Sequence, residues 1–257
     1  MTESVMRVQN IAVKFGGLWA LQAVDMDVRE NEILGIMGPN GAGKSTFLNV
    51  MSGLQRPTSG QMTVNGQHVA AGRPWQMTRL GLSRSFQTVR LLEQLTVLEN
   101  VLIGGHIQAT KNPLSILLRT RSYRKKEKEL KERAFSLLRL TGLANRADDA
   151  ISSLSVQERR RVEIARSLMP HPKVLLLDEP CAGLSPHETA AISQLIMTIR
   201  NEGISVILVE HNVKMVLSLS DQILVLDHGR CIAKGTPQDV SKNEAVIKAY
   251  LGGAEDA

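Results

Sequence analysis

The sequence predicts an α/β fold built on a mainly parallel sheet, and three observations carry that expectation. The runs ILGIM at 33–37, VLLLD at 174–178 and SVILVE at 205–210 are almost wholly apolar, as strands covered on both faces must be. Each precedes a segment of helical character, the alternation that builds parallel sheets. Segments near the N-terminus alternate loosely between apolar and polar residues instead, and predict an antiparallel sheet.

In chain order, Arg7 to Phe15 and Ala23 to Val28 read as strands, and Gln61 to Val64 as a third. The last ends at Asn65-Gly66, a pair suited to hairpin turns because both residues tolerate positive φ. Lys125 to Leu140 is helical: Leu130, Ala134, Leu137 and Leu138 recur at i, i+4, i+7 and i+8. Along its surface Glu127–Lys131 and Glu129–Arg133 have the spacing of ion pairs. The neighbouring RKKEK cluster is a solvated face or a partner-binding surface. QILVL and CIAKG flank His228-Gly229 and predict a final hairpin. No internal repeat or low-complexity linker interrupts the chain. The expected organisation is one domain over 1–257, with an α/β core at 1–89 and 166–257 and a helical subdomain at 90–165.

The 257 residues suffice for one large domain or two small subdomains around a sizeable core. Aromatics make up only 3%, so the core must rest on Leu, Ile, Val, Ala and Met. No apolar run approaches bilayer-spanning length, and MTESVMRVQN lacks the basic-then-apolar pattern of a secretory signal. Cys181 and Cys231 are far apart and form no pair motif, which disfavours a disulfide framework and makes a reducing cytoplasm the expected setting. A net charge of +6 favours an anionic partner: nucleic acid, nucleotide, acidic protein or membrane face.

The chemistry concentrates in GPNGAGKST, formed by Gly38, Pro39, Asn40, Gly41, Ala42, Gly43, Lys44, Ser45 and Thr46. It matches G-x-x-x-x-G-K-[ST] and lies between an apolar run and a helical segment, the context this phosphate-binding motif requires. Glycines let the backbone curl so that successive N–H groups face phosphate oxygens, and the following helix adds its positive end. Lys44 suits the β and γ phosphates, and the Ser45 hydroxyl suits Mg²⁺. A chance glycine turn is the plain alternative. VLLLDE then places Asp178 and Glu179 at the edge of a parallel strand, where a carboxylate lies beside such a loop. Asp178 would hold the Mg²⁺ hydration shell and Glu179 would polarise an attacking water; two surface acids are the alternative. VILVEH ends in His211, either a structural histidine or a group touching the γ-phosphate and the water. Gln87, closing LSRSFQ, is a neutral candidate for ligating Mg²⁺ or orienting water.

These pieces, in this order, resemble the nucleotide-binding subunit of an ATP-binding cassette (ABC) transporter over essentially the whole chain. Within that family the chain most resembles the larger ATPase of branched-chain amino acid importers, on GLSRSFQTVRLLEQLTVLENVLIGGH, RRRVEIARSL, LLLDEPCAGLSP, VEHNVKMVLSLSDQILVLDHG and AKGTPQDV with AVIKAYLG. Relatives serving urea or other small solutes look similar. The resemblance implies a P-loop NTPase fold of ABC type, with ATP and Mg²⁺ as ligands. It implies that Phe15 stacks on adenine, a contact worth about 1–3 kcal/mol where it has been measured for aromatic–base pairs; a core Phe is the alternative. Gln87 would lie in a loop sensing both Mg²⁺ and the membrane partner. Gly183, Leu184 and Ser185 would cross to an opposing subunit, and many family members carry an acid where Ser185 stands.

The family signature, roughly Leu-Ser-Gly-Gly-Gln, opens a helix that grips the nucleotide of the opposing subunit; Leu154-Ser155 matches its start. Arg159, Arg160 and Arg161 would add positive field around a triphosphate and pair with nearby acids, or at least two of them would simply be solvated. The implied partners are a second ABC ATPase subunit, as homodimer or heterodimer, two multi-spanning permease subunits and, indirectly, a periplasmic solute-binding protein. No nucleic acid is implied, and the implied location is peripheral, on the cytoplasmic face of the inner membrane. One departure stands out: Gln157 replaces the second signature glycine. A positive φ there would cost a glutamine roughly 1–2 kcal/mol, which predicts a weakened composite site. A nucleic-acid-handling ABC ATPase is disfavoured because no zinc module or sustained heptad appears. A nucleotide-binding regulatory module without turnover is the third reading; Gln157 favours it, while Glu179 and His211 oppose it.

Overall fold

The computed structural model describes residues 4–69, 73–85, 91–106 and 120–251. The chain divides into two compact units. The first comprises Met1–Arg84, Lys173–Ala182 and Ile196–Ala257, the second Ser85–Pro172 and Gly183–Leu195.

The first unit opens with strands β1 (Ser4–Phe15) and β2 (Leu18–Arg29), an antiparallel hairpin around Gly16-Gly17. Both strands run longer than their alternation predicts, and the register shifts where Asn10 and Ala23 take φ of 52° and 51°. Such bulges break the period of two. Strand β3 (Ile33–Met37) is buried at every position and leads into helix α1 (Lys44–Met51). Strands β4 (Ser59–Val64) and β5 (Gln67–Val69) then turn through Asn65 and Gly66, both at positive φ as the pair predicts. Helix α2 (Pro74–Arg79) and the short strand β6 (Leu82–Arg84) follow.

The second unit is helical. Helix α3 (Val97–Ile103) starts in a reciprocal cap between Thr96 and Glu99. Helix α4 (Arg121–Leu140) buries Ala134, Leu137 and Leu138, three positions of the predicted stripe. Its surface pairs differ from those the spacing suggests. Glu129 meets Lys125 at 3.9 Å and Glu132 meets Lys128 at 3.7 Å, while Arg133 donates to the carbonyls of Leu168 and Met169 at 2.6 and 3.0 Å. Those carbonyls end helix α5 (Val156–Leu168), where a cation satisfies otherwise orphaned acceptors.

Back in the first unit, β7 (Val174–Asp178) and β8 (Ser205–Val209) are fully buried strands, separated in sequence by helix α6 (Pro186–Asn201). Helix α7 (Val213–Leu219), the hairpin β9 (Gln222–Asp227) and β10 (Arg230–Gly235), and helices α8 (Pro237–Ser241) and α9 (Glu244–Leu251) complete the chain. Two sheets result. One is antiparallel with order β2-β1-β4-β5. The other has order β10-β9-β3-β8-β7-β6, parallel except for its β9–β10 hairpin. One apolar cluster joins both sheets through α1, including Val8, Val13, Leu21, Phe47, Leu48, Leu176 and Leu224. Burying a side chain such as Phe47 stabilises by about 1.5–3 kcal/mol. Strands β3, β8 and β7 are thereby neighbours, and their C-terminal ends share one edge of the sheet.

Candidate functional site

The turn from β3 to α1 is built by Gly38 to Gly43. Gly38 has φ of 152°, and a Cβ there would lie 2.1 Å from the Leu226 carbonyl oxygen, so no side chain fits. Gly41 and Gly43 also hold positive φ, at 79° and 99°. Gly43 is the N-cap of α1, with no side-chain cap and no acid in the first turn. The positive end of the helix therefore has no side-chain acceptor of its own, the condition for anion binding. Pro39 and Thr46 are half-buried, Asn40 and Ser45 exposed, and Ala42 buried. Lys44 is buried, and its ammonium donates to the carbonyls of Gly38 and Pro39 at 2.7 and 2.9 Å. Burial pulls its pKa below the ordinary 10.5, against the attraction of Glu179 and Asp178.

Asp178 ends β7, and its carboxylate meets the Arg84 guanidinium at 2.8 Å with both side chains under a tenth exposed. Arg84 also donates to Asn49 Oδ1 and Ser52 Oγ on and just after α1, at 2.8 and 2.9 Å. This cation escapes sequence reading because β6 is too short to register as a strand. Its neighbours Ser83 and Ser85 are both buried, but as serines they give no sign of it in the sequence.

Glu179 leaves β7 with φ of 48°, while its N–H donates to Val209 O at 2.9 Å. Its carboxylate Oε1 lies 2.7 Å from His211 Nε2. The strand predicted to end at Glu210 ends at Val209, and Glu210 turns into the protein. It is buried and accepts N–H bonds from Cys181 at 2.7 Å and His211 at 3.2 Å. Burial raises its pKa above the carboxylate norm, although those N–H bonds work the other way. VILVE parallels VLLLD in pattern, and that likeness is the signal that would have found Glu210.

Phe15 is 50% exposed at the tip of the β1–β2 hairpin, which removes the core alternative for it. Trp19, also exposed, pairs with Lys14 across the same hairpin and has the Lys14 ammonium 5.1 Å from its ring centre. A Cβ on Gly43 would lie 2.6 Å from the Ala20 carbonyl oxygen, so β2 lies against the last residue of the glycine loop. Gln87 lies outside the described residues.

In the second unit, Ser155 is the N-cap of α5. Its hydroxyl accepts from Glu158 N at 3.2 Å, and Glu158 accepts from Ser155 N at 2.9 Å. Glu158 also pairs with Arg146 at 2.9 Å. Gln157 sits inside the first turn of α5 and is not among the residues with positive φ, so the backbone strain expected from a lost glycine does not arise. Its amide instead donates to Glu188 O at 3.4 Å. The three arginines are not solvated as a group. Arg160 is buried against Glu163 at 3.1 Å, and Arg159 donates to the carbonyls of Leu154 and Ser152 at 3.2 and 3.3 Å. Ser185 accepts from Glu188 N at 3.3 Å, and both its N–H and its hydroxyl donate to the Glu188 carboxylate.

Residues 21–182 match the model of the ABC transporter family, and residues 230–256 match that of the branched-chain amino acid ATP-binding cassette transporter. The chain is 40% identical to the high-affinity branched-chain amino acid transport ATP-binding protein LivG of Salmonella typhimurium, over 99% of this chain and 100% of that one. It is 38% identical to the corresponding protein BraF of Pseudomonas aeruginosa, with the same coverage. Among solved structures, an ATP-binding cassette of an ABC transporter in its ADP conformation superposes with a TM-score of 0.85, at 32% identity over 98% of this chain and all of that one. With a glycine-lined turn, a buried lysine and strand-tip acids in one unit and a serine-capped helix in the other, this chain belongs to the ABC transporter family as one of its ATP-binding cassettes.

Proposed function

We propose that this chain is the ATP-hydrolysing subunit of an ABC importer that moves branched-chain amino acids through separate membrane subunits. The observation that carries the catalytic part is the Glu179–His211 pair at 2.7 Å, at the sheet edge that also bears Lys44 and Asp178. In this reading the amides of Gly38 to Gly43 and the open end of α1 bind the phosphates, and Lys44 exchanges its carbonyl partners for phosphate oxygens. Glu179 accepts a proton from the attacking water, and His211 holds the Glu179 carboxylate and reaches the γ-phosphate. The water attacks in line, where positioning and charge neutralisation supply most of the catalysis. General-base help of this kind contributes about 10²–10⁴-fold.

The Ser45 hydroxyl and the Asp178 carboxylate are hard oxygen donors of the type Mg²⁺ takes. One Asp178 oxygen is bound to Arg84 and the other remains to face the ion's water shell. Mg²⁺ held there would neutralise phosphate charge. Gln87 would complete this set, and Phe15 would stack on the adenine.

A second ABC ATPase subunit would close each site, with Ser155 and Gln157 facing the nucleotide of that partner. Glu158 at the same helix end adds negative charge near a triphosphate, so the composite site made by this chain's signature is the weaker one. No helix among the described residues is long and apolar enough to cross a membrane. Attachment to the cytoplasmic face of the inner membrane would therefore run through two permease subunits, with a periplasmic solute-binding protein delivering the cargo. The branched-chain assignment rests on the likeness to LivG and BraF. Uptake of radiolabelled leucine and urea into vesicles holding this chain, its partner ATPase, the permeases and the binding protein tests it. ATP-dependent leucine uptake is the expected result; uptake of urea alone overturns the cargo.

A further inference from the structure

The first residue of the phosphate loop is held from an unexpected direction. The Gly38 N–H donates at 2.9 Å to the hydroxyl of Tyr250, 212 residues later in the sequence, on helix α9. The Gly38 carbonyl accepts from Lys44. The peptide groups on either side of this residue are therefore tied to the C-terminal helix and to the lysine expected to meet phosphate. Packing does not do the same work on the outer side of the loop. Pro39, Asn40, Gly41 and Ala42 border a cavity of about 580 Å³ that Ala245, Lys248 and Ala249 of α9 line from across it. The Tyr250 ring packs on a separate apolar cluster that includes Met37, the residue before the loop, and Val246. Burial pushes the Tyr250 hydroxyl above its ordinary pKa, so it stays protonated and neutral beside the loop.

We infer that Tyr250 is a positioning residue for ATP binding: by fixing the Gly38 amide, its hydroxyl pre-organises the phosphate loop. This rests on the nucleotide-binding role proposed above. Removing the hydroxyl alone, in Tyr250→Phe, keeps the ring and its packing but leaves the half-buried Gly38 N–H without its acceptor. The loop must then be ordered when nucleotide binds. Loss of one net hydrogen bond of ordinary strength corresponds to roughly threefold to tenfold in affinity.

The test is equilibrium binding of MgATP to the purified full chain, with turnover measured in the reconstituted transporter. Tyr250→Phe is expected to raise the Kd for MgATP threefold to tenfold while kcat at saturating ATP stays within twofold. Val246→Ala, which thins the packing of the same helix without touching the hydroxyl, is expected to lower the melting temperature and leave Kd unchanged. An unchanged Kd in Tyr250→Phe overturns the inference, as does an equal rise in Val246→Ala, which would make the effect one of helix stability. Amide exchange at Gly38, faster in Tyr250→Phe than in wild type, checks the bond itself; unchanged exchange also overturns it. If wild type binds no MgATP, the nucleotide role fails first.

Discussion

Glu179 Oε1 lies 2.7 Å from His211 Nε2, although the two residues follow different strands and are 32 positions apart. The contact depends on backbone conformation. Glu179 holds φ of 48° as it leaves β7, and Glu210 pins the amides of Cys181 and His211. A non-glycine residue in the left-handed region stores about 1–3 kcal/mol, strain that proteins tend to keep at working sites.

In the proposed mechanism the pair acts as a unit, so its removal should be non-additive. Glu179→Gln is expected to lower ATP turnover by about 10²–10⁴-fold with MgATP binding retained. Adding His211→Ala to that variant should cost little more. A double variant whose loss is the product of the two single losses would separate the residues into independent roles.

The Arg84–Asp178 pair is buried, so breaking it leaves a carboxylate without its cation. Arg84→Met is expected to destabilise the fold by about 3–5 kcal/mol in urea unfolding. Lys125→Ala, which breaks an ion pair with both side chains more than half exposed, should change stability by under about 1 kcal/mol. Equal effects would show that the burial of Asp178 does not matter.

The signature helix is capped by its own acid, unlike α1. Ser155→Ala is expected to cost about 1 kcal/mol of stability through the lost cap. Gln157→Gly should raise ATP turnover in the reconstituted transporter, because it clears a side chain from the helix end proposed to face the partner's nucleotide. Unchanged turnover would count against a defective signature.

Lys44 has a pKa below 10.5 in the fold. Between its folded value and 10.5 the unfolded chain holds a proton that the native chain has released, so wild-type stability gains with rising pH across that window. Relative to Lys44→Met, which has no such titration, wild type should become steadily more stable as pH climbs towards 10.5, and the difference should be flat at lower pH. Unfolding free energies of both chains across that range measure this; a difference that falls with pH would reverse the sign.

The sequence makes the parallel strands and the phosphate loop legible for a physical reason. A strand covered on both faces is apolar at every position, and a backbone that must approach phosphate needs glycine at fixed spacing. β6 is illegible because three residues carry no period, so Arg84 stays unassigned even though it holds Asp178. The first part of β2, Leu18 to Gln22, is hidden for a related reason: alternation fails where Ala23 reverses the backbone. The strain expected at Gln157 follows from treating it as a glycine position, whereas Ser155 starts a helix in which a glutamine is comfortable. Tyr250 could not be read at all, since nothing local links an aromatic near residue 250 to an amide at residue 38.

The proposed function requires the glycine-lined turn and Lys44 to form a triphosphate site. The most direct measurement is the equilibrium Kd for MgATP of the purified chain, wild type against Lys44→Ala. Saturable binding by wild type, weakened at least tenfold in the variant, is the predicted result. Absence of binding by wild type, or equal binding by both, would contradict it.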